Sequence, residues 1–118
     1  MSGGPRYRVE WTRTAASDLE AILDYLAADN ADSALRIFGE IRERAAALAS
    51  LPLRGRVVPE LQAHGILLYR EIVRAPWRIV YRVDDRAVYV VTVCDSRRNL
   101  EDLLLDRFLR PSPVPPPP

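Results

Sequence analysis

Apolar residues recur along the chain with two different periods, which predict strands and helices respectively. From Tyr7 to Thr12 every second residue is apolar, the pattern of a half-buried strand. Two amphipathic helices are then predicted by apolar residues spaced three and four apart. Their stripes are Ala15, Leu19, Ile22 and Leu26, then Ala34, Ile37, Phe38, Ile41, Ala45 and Leu48. The short polar stretch 29–32 between them predicts an antiparallel helical hairpin.

Three strand-like segments follow the hairpin. They span Leu67–Val73, Arg78–Val83 and Ala87–Cys94, and the tight turn Asp84–Arg86 joins the last two. The third segment is almost wholly apolar, which predicts a central strand covered on both faces. Residues 57–65 remain ambiguous, because Pro59 argues against a central strand.

A last helix is predicted at Leu100–Leu109, with Asn99 as its cap. The resulting order, β-α-α-β-β-β-α, predicts an α+β fold in which the helical hairpin packs on a mostly antiparallel sheet. We expect one domain at residues 7–109, between a flexible N-terminus at residues 1–6 and a disordered Pro-rich tail at residues 110–118.

Composition excludes several kinds of site. The single cysteine, Cys94, allows no internal disulfide and ends an apolar run, so we expect it in the core. With one histidine, His64, we expect no metal and no cofactor. No apolar stretch approaches the ~20 residues of a spanning helix, and no signal peptide is visible. We therefore expect a soluble, cytoplasmic protein without membrane contact.

The net charge of +1 indicates no particular partner, but all 17 basic residues are arginine. Codon usage in a GC-rich genome would account for the absence of lysine. Alternatively, arginine is favoured where planar forks bind carboxylates or phosphates. Composition leaves both explanations open.

A series of short segments, taken in chain order, carries a family resemblance. They are Val9–Thr12 with Ala15, Asp18, Leu19 and Ile22; Asp24–Ala27 with Asp29, Asn30 and Ala34; Leu51–Pro52 with Gly55, Arg56 and Pro59–Leu61; Arg70–Ile72; Trp77–Arg82; and Val90–Cys94 with Arg97 and Arg98. The series resembles the ParE/RelE toxins of type II toxin–antitoxin systems over about Tyr7–Leu109, and its hairpin is closer to ParE-like members. No single segment is specific.

The resemblance implies one of two activities. RelE-like members cut mRNA in the ribosome, and Arg70, Arg78 and Arg97 match their basic positions. ParE-like members poison DNA gyrase. An acid–base pair for RNA cleavage is missing here, because the second strand position is Ile72 and the last helix contains no Tyr or His. The histidine that many members carry before Arg97 is also absent, although Glu60, Glu71 or His64 could serve as a base.

The leading interpretation is therefore a gyrase inhibitor that acts by binding and is neutralised by a cognate antitoxin, in a hetero-oligomer. The alternatives are a ribosome-dependent mRNA endonuclease and a non-toxic relic that only binds its antitoxin. The expected target- or antitoxin-binding residues are Arg70, Arg78, Arg97, Arg98, Leu104 and Leu105. Cross-strand ion pairs are the structural alternative for the arginines.

We also expect an exposed apolar groove that the antitoxin fills. Its expected lining combines hairpin residues that lie off the main stripes with leucines of the last helix: Leu23, Tyr25, Leu35, Leu104, Leu105 and Leu109.

Overall fold

A five-stranded sheet separates two helical layers in the computed structural model, which describes residues 6–97 and 100–109. The elements are β1 Arg8–Trp11, α1 Arg13–Ala27, α2 Ala31–Ala46, β2 Arg56–Val57, α3 Pro59–Gln62, β3 Tyr69–Arg74, β4 Trp77–Asp84, β5 Ala87–Asp95 and α4 Leu100–Leu109. The predicted tail at residues 110–118, the predicted cap Asn99 and nearly all of the predicted flexible N-terminus lie outside the described residues. None of the described helices is long and apolar enough to cross a membrane.

The strands run in the order β1-β5-β4-β3-β2, and every neighbouring pair is antiparallel except β1 with β5. The α+β prediction with a mostly antiparallel sheet is confirmed. The predicted turn between β4 and β5 is also confirmed: Asp85 adopts a positive φ of 55° there, which a tight two-residue hairpin connection favours.

The helical hairpin covers one face of the sheet. Side-chain caps define where its helices begin, because the Thr12 hydroxyl accepts from the Ala15 amide and the Asn30 side chain accepts from the Ser33 amide. The predicted stripes then pack against the strands in a buried cluster: Ala15, Leu19, Ile41, Ala45, Trp77, Ile79, Val90 and Val93. Burial of Ile79 and of the neighbouring Tyr81 is confirmed.

The two remaining helices, α3 and α4, cover the opposite face. A second buried cluster lies between them and the sheet: Val58, Leu61, Val80, Cys94 and Leu104. A register shift at Val80/Tyr81 lets β5 present Val90 and Val93 to the hairpin and Cys94 to the other layer. Coverage of β5 on both faces is therefore confirmed, as is the buried position of Cys94.

The ambiguous segment contains two short elements that the sequence pattern does not predict. β2 pairs with β3 through Arg56 and Val57, and the Val58 amide donates to the Tyr69 carbonyl. Pro59 then begins α3, a position where its missing amide hydrogen costs nothing. An element of two or four residues is too short to show a period, and α3 matters for the site because it carries Glu60.

Candidate functional site

Arg78 lies at the centre of a buried ion-pair network beneath α3. Its Nη1 and Nη2 donate to the two carboxylate oxygens of Glu60 at 2.7 and 2.8 Å, and its Nε donates to Glu71 Oε1 at 2.5 Å. The second oxygen of Glu71 accepts from Arg56 Nε at 2.6 Å. The network ties β4 to α3, β3 and β2.

The network stabilises the charged forms of Glu60 and Arg78. The hydrogen bond from Arg78 is the largest cause that lowers the pKa of Glu60, and the bond to Glu60 in turn raises the pKa of Arg78. Arg78 is only 5% exposed and Glu71 only 2%. The sequence-based expectation of Arg78 on an accessible functional face is thus corrected: its guanidinium is enclosed by two carboxylates, as in the ion-pair alternative.

Arg70 holds a loop in place from the hairpin side of β3. Its Nη1 donates to the Gly55 carbonyl at 2.7 Å and lies 3.5 Å from the Leu53 carbonyl. The Tyr81 hydroxyl accepts from the Gly55 amide at 3.0 Å. Arg70 is half-buried, so one side of it faces solvent beside the loop that it fixes.

Arg97 lies beyond the end of β5 and pairs with Asp95. Its backbone amide donates to Asp95 Oδ1 at 2.8 Å, and its Nη2 lies 2.6 Å from Oδ2. Arg70 pairs with Tyr81 of β4, which in turn pairs with Val90 of β5. Arg97 lies seven residues beyond Val90, so the two arginines are roughly 20 Å apart along the strands. The structure does not bring them into one site. The other predicted residue at this corner, Arg98, lies outside the described residues.

The predicted leucines do not form one groove with the hairpin. Leu104 is fully buried where α4 packs on the sheet, and Leu105 is partly buried against the cluster that contains Leu104. Tyr25 and Leu35 are exposed, but they lie on the hairpin at the opposite face of the sheet. The side chain of Leu109 is not described. The expectation of Leu104 as a contact residue is therefore corrected to a core role.

Sequence reasoning missed a polar joint between α1, β5 and α4. Arg107 Nη1 lies 2.8 Å from Asp18 Oδ2, which also accepts from the Thr92 hydroxyl at 2.6 Å and the Val93 amide at 3.0 Å. A longer β1 would offer a backbone carbonyl to the Val93 amide of β5. Because β1 ends at Trp11, the Asp18 carboxylate accepts from that amide instead. No periodicity reveals this joint, although Asp18 belongs to the segments that carry the family resemblance.

The other reactive side chains give no catalytic arrangement. Burial raises the pKa of the Cys94 thiol to about 11, and burial also raises the pKa of Tyr69 and Tyr81. His64 Nε2 lies 3.2 Å from Glu101 on an exposed surface. Within residues 6–97 and 100–109, no group of three or more His, Cys, Asp or Glu is placed to hold a metal ion. Arg56, Arg70, Arg78 and Arg97 bind carboxylates and carbonyls of the chain itself.

Known proteins share this sequence pattern and fold. The family model described as ParE toxin of type II toxin–antitoxin system, parDE, matches residues 9–100. The chromosomal ParDE toxin–antitoxin system from P. aeruginosa superposes with a TM-score of 0.64 at 24% identity, over 76% of this chain and 96% of that one. The toxin–antitoxin complex RelBE2 from Mycobacterium tuberculosis gives a TM-score of 0.58 at 26% identity, over 80% and 97%. Among proteins with curated descriptions, none matches in sequence.

Proposed function

We propose that this chain, which belongs to the ParE toxin family of type II toxin–antitoxin systems, binds DNA gyrase and thereby inhibits it. A cognate antitoxin would neutralise it in a hetero-oligomer. The natural compartment for both partners is the cytoplasm, where gyrase acts.

The observation that supports a binder over a nuclease is that the predicted cationic residues are already held by carboxylates and carbonyls of the chain itself. Cleavage at a 2′-hydroxyl requires a base, an acid and free cations for the phosphate. Arg78 is enclosed by Glu60 and Glu71, while Arg70 and Arg97 are held far apart. The carboxylates near Arg78 are engaged by it, so neither is free to accept a proton from RNA.

A supercoiling assay with purified gyrase tests this proposal. Increasing amounts of the chain should inhibit supercoiling and trap a gyrase–DNA cleavage complex, and prior addition of the antitoxin should remove both effects. Full supercoiling at a large excess of the chain, without a trapped complex, contradicts gyrase inhibition.

A ribosome-dependent mRNA endonuclease is the second candidate. It is favoured by the likeness to the RelBE2 complex, at 26% identity, and Arg70 and Arg97 would be its accessible cationic residues. Primer extension on cellular mRNA after induction separates the two activities. Codon-linked cleavage with unaffected gyrase would replace the first proposal with this one.

A non-toxic relic is separated from both by growth. We expect induction without the antitoxin to arrest growth, and co-expression of the antitoxin to restore it. Normal growth after induction of the folded chain, together with retained antitoxin binding, would identify a relic.

A further inference from the structure

Exposed leucines are concentrated in two loops beside the outer edge of the sheet. Leu51 and Leu53, 60% and 61% exposed, lie between α2 and β2. Leu67 and Leu68, 61% and 55% exposed, lie between α3 and β3. Single exposed leucines are ordinary, but grouped ones commonly mark binding surfaces on small proteins.

Arg70 brings the two loops together. Its guanidinium donates to the Gly55 carbonyl and lies 3.5 Å from the Leu53 carbonyl, while Leu68 is two residues before it along the chain. Two residues of extended chain span about 7 Å. We call the exposed side chains of these two loops the loop surface: Leu51, Leu53, Arg54, Leu67 and Leu68.

The loop surface is cationic as well as apolar. Residues 51–57 include Arg54 and Arg56 and contain no acidic residue. Arg56 is engaged by Glu71. Among the described residues, the guanidinium of Arg54 has neither a hydrogen bond nor an ion pair, and the residue is exposed. Its charge is therefore available to a partner.

The first part of the helical hairpin, between Arg13 and Arg36, has the opposite character. Residues 14–35 contain five acidic residues and no basic one: Asp18, Glu20, Asp24, Asp29 and Asp32. Tyr25 and Leu35 are exposed on the hairpin, 72% and 62%. An acidic partner segment would be repelled from Glu20, Asp24, Asp29 and Asp32 and attracted to the loop surface.

We propose that the loop surface binds an acidic segment of the antitoxin that also carries apolar side chains. This inference rests on the proposed toxin–antitoxin function and adds where the partner docks. Apolar side chains of the segment cover the leucines, and a carboxylate pairs with Arg54 through its two parallel donors. A nucleic-acid backbone would satisfy Arg54 but leave four leucines in water. A second copy would offer the acidic residues of its hairpin to Arg54, and self-association is therefore measured as a separate outcome.

The test measures the affinity of the full chain for the purified antitoxin encoded beside its gene. One variant combines Leu53→Ser with Leu68→Ser, and a second is Arg54→Glu. The matched controls are Tyr25→Ser with Leu35→Ser, which removes equally exposed apolar side chains from the hairpin, and Arg13→Glu, which makes the same charge change on α1. All six substituted residues are exposed, and circular dichroism melting verifies that each variant folds.

We expect both loop-surface variants to weaken antitoxin affinity about tenfold or more, and both controls to retain it. The loss in Arg54→Glu should shrink at high salt, because screening weakens an exposed charge pair. Wild-type affinity in both loop-surface variants would overturn the docking surface alone. An antitoxin that fails to bind even the wild-type chain would instead contradict the proposed function.

Two further outcomes would reassign the surface. Binding of double-stranded DNA that Arg54→Glu abolishes, with antitoxin affinity unchanged, would identify a nucleic-acid surface. Self-association that the Leu53→Ser and Leu68→Ser variant abolishes, with antitoxin affinity unchanged, would identify a contact between copies. Either result overturns the antitoxin assignment.

Discussion

Arg78 shows how the surroundings of one residue decide its role. Period-two alternation puts it on the face opposite Ile79, and that assignment is correct. The same pattern is silent about α3, whose Glu60 closes over the guanidinium. An arginine that looks available in a strand is thereby removed from contact with solvent and partners.

Replacing this buried arginine should therefore cost stability. Arg78→Ala leaves the buried Glu71 with Arg56 as its remaining partner and removes the partner of Glu60, and we expect the free energy of unfolding to fall by roughly 3–5 kcal/mol in urea titration. Arg97→Ala is the matched control, because that arginine is exposed and should leave the unfolding midpoint unchanged. A stable Arg78→Ala protein with lost toxicity would instead return Arg78 to the functional surface.

The Glu60 carboxylate makes part of this stability depend on pH. Its pKa is lower in the folded protein because Arg78 donates to it. A lowered folded pKa gives stability that is complete above the ordinary glutamate pKa of about 4.3 and disappears as pH falls through the folded value.

The Glu60→Gln protein should consequently differ most from wild type in its free energy of unfolding near neutral pH. The difference in unfolding free energy between wild type and Glu60→Gln should stay constant above about pH 5 and narrow below about pH 4. Leu105→Ala, which removes no titratable group, should keep the pH dependence of the wild type. A difference that is constant down to acid unfolding would mean that the charge of Glu60 contributes nothing.

Position 55 requires glycine because atoms of Glu71 and Tyr81 lie close to its backbone. An added Cβ would lie 2.7 Å from the Tyr81 hydroxyl and closer still to the Glu71 carbonyl oxygen. The carbonyl belongs to β3 and cannot move without breaking strand pairing. A Cβ added at Gly39, within α2, would meet no atom within 4 Å, so this glycine offers a control with the opposite expected sign.

The paired substitutions make that difference measurable. We expect Gly55→Ala to destabilise by roughly 1–3 kcal/mol. Gly39→Ala should stabilise by about 0.5–1 kcal/mol, because alanine restricts the unfolded chain and favours helix. Thermal unfolding of both variants checks the signs, and a neutral Gly55→Ala would show that the loop can shift away from β3.

At the scale of elements, the sequence pattern predicted the helices and strands that are long enough to show a period. The hairpin and the three later strands were predicted within a few residues, because each buries a repeating set of side chains. β2 and α3 were missed because they consist of two and four residues. Their positions depend on tertiary contacts, chiefly the bond from the Val58 amide to the Tyr69 carbonyl.

The candidate site was less predictable than the fold for the same reason. Residue type identifies Arg70, Arg78 and Arg97 as cations, but only the packed chain shows which ones are enclosed. Leu104 illustrates the converse case: it lies on a predicted helical stripe, and the second layer buries it completely. Sequence predicted the chemistry available, and tertiary structure decided its accessibility.

At the scale of the whole molecule, charge is divided between two parts. The acidic residues at positions 18–32 of the hairpin and the cationic loop surface lie on different elements, although the net charge is only +1. A near-neutral total therefore hides two surfaces with opposite preferences for partners. Composition alone gave no reason to expect a charged partner, whereas the distribution of charge does.

The rate at which the Cys94 thiol reacts with a reagent measures how often α4 separates from the rest of the molecule. This thiol is the only one in the chain, is 7% exposed and lies in the same cluster as Leu104. An aromatic disulfide reagent should react with it only when the α3 and α4 layer opens, because the closed state excludes the reagent.

Arg107→Ala should raise the rate of Cys94 modification under native conditions. The substitution removes the ion pair with Asp18 and the hydrogen bond to Thr92, which together fasten α4 to α1 and β5. A charged hydrogen bond contributes about 1.5 kcal/mol, so opening should become roughly tenfold more frequent. Arg36→Ala, which removes an exposed pair with Glu40, should leave the rate unchanged. Equal rates in Arg107→Ala and wild type would show that apolar packing around Leu104 holds α4 without the polar joint.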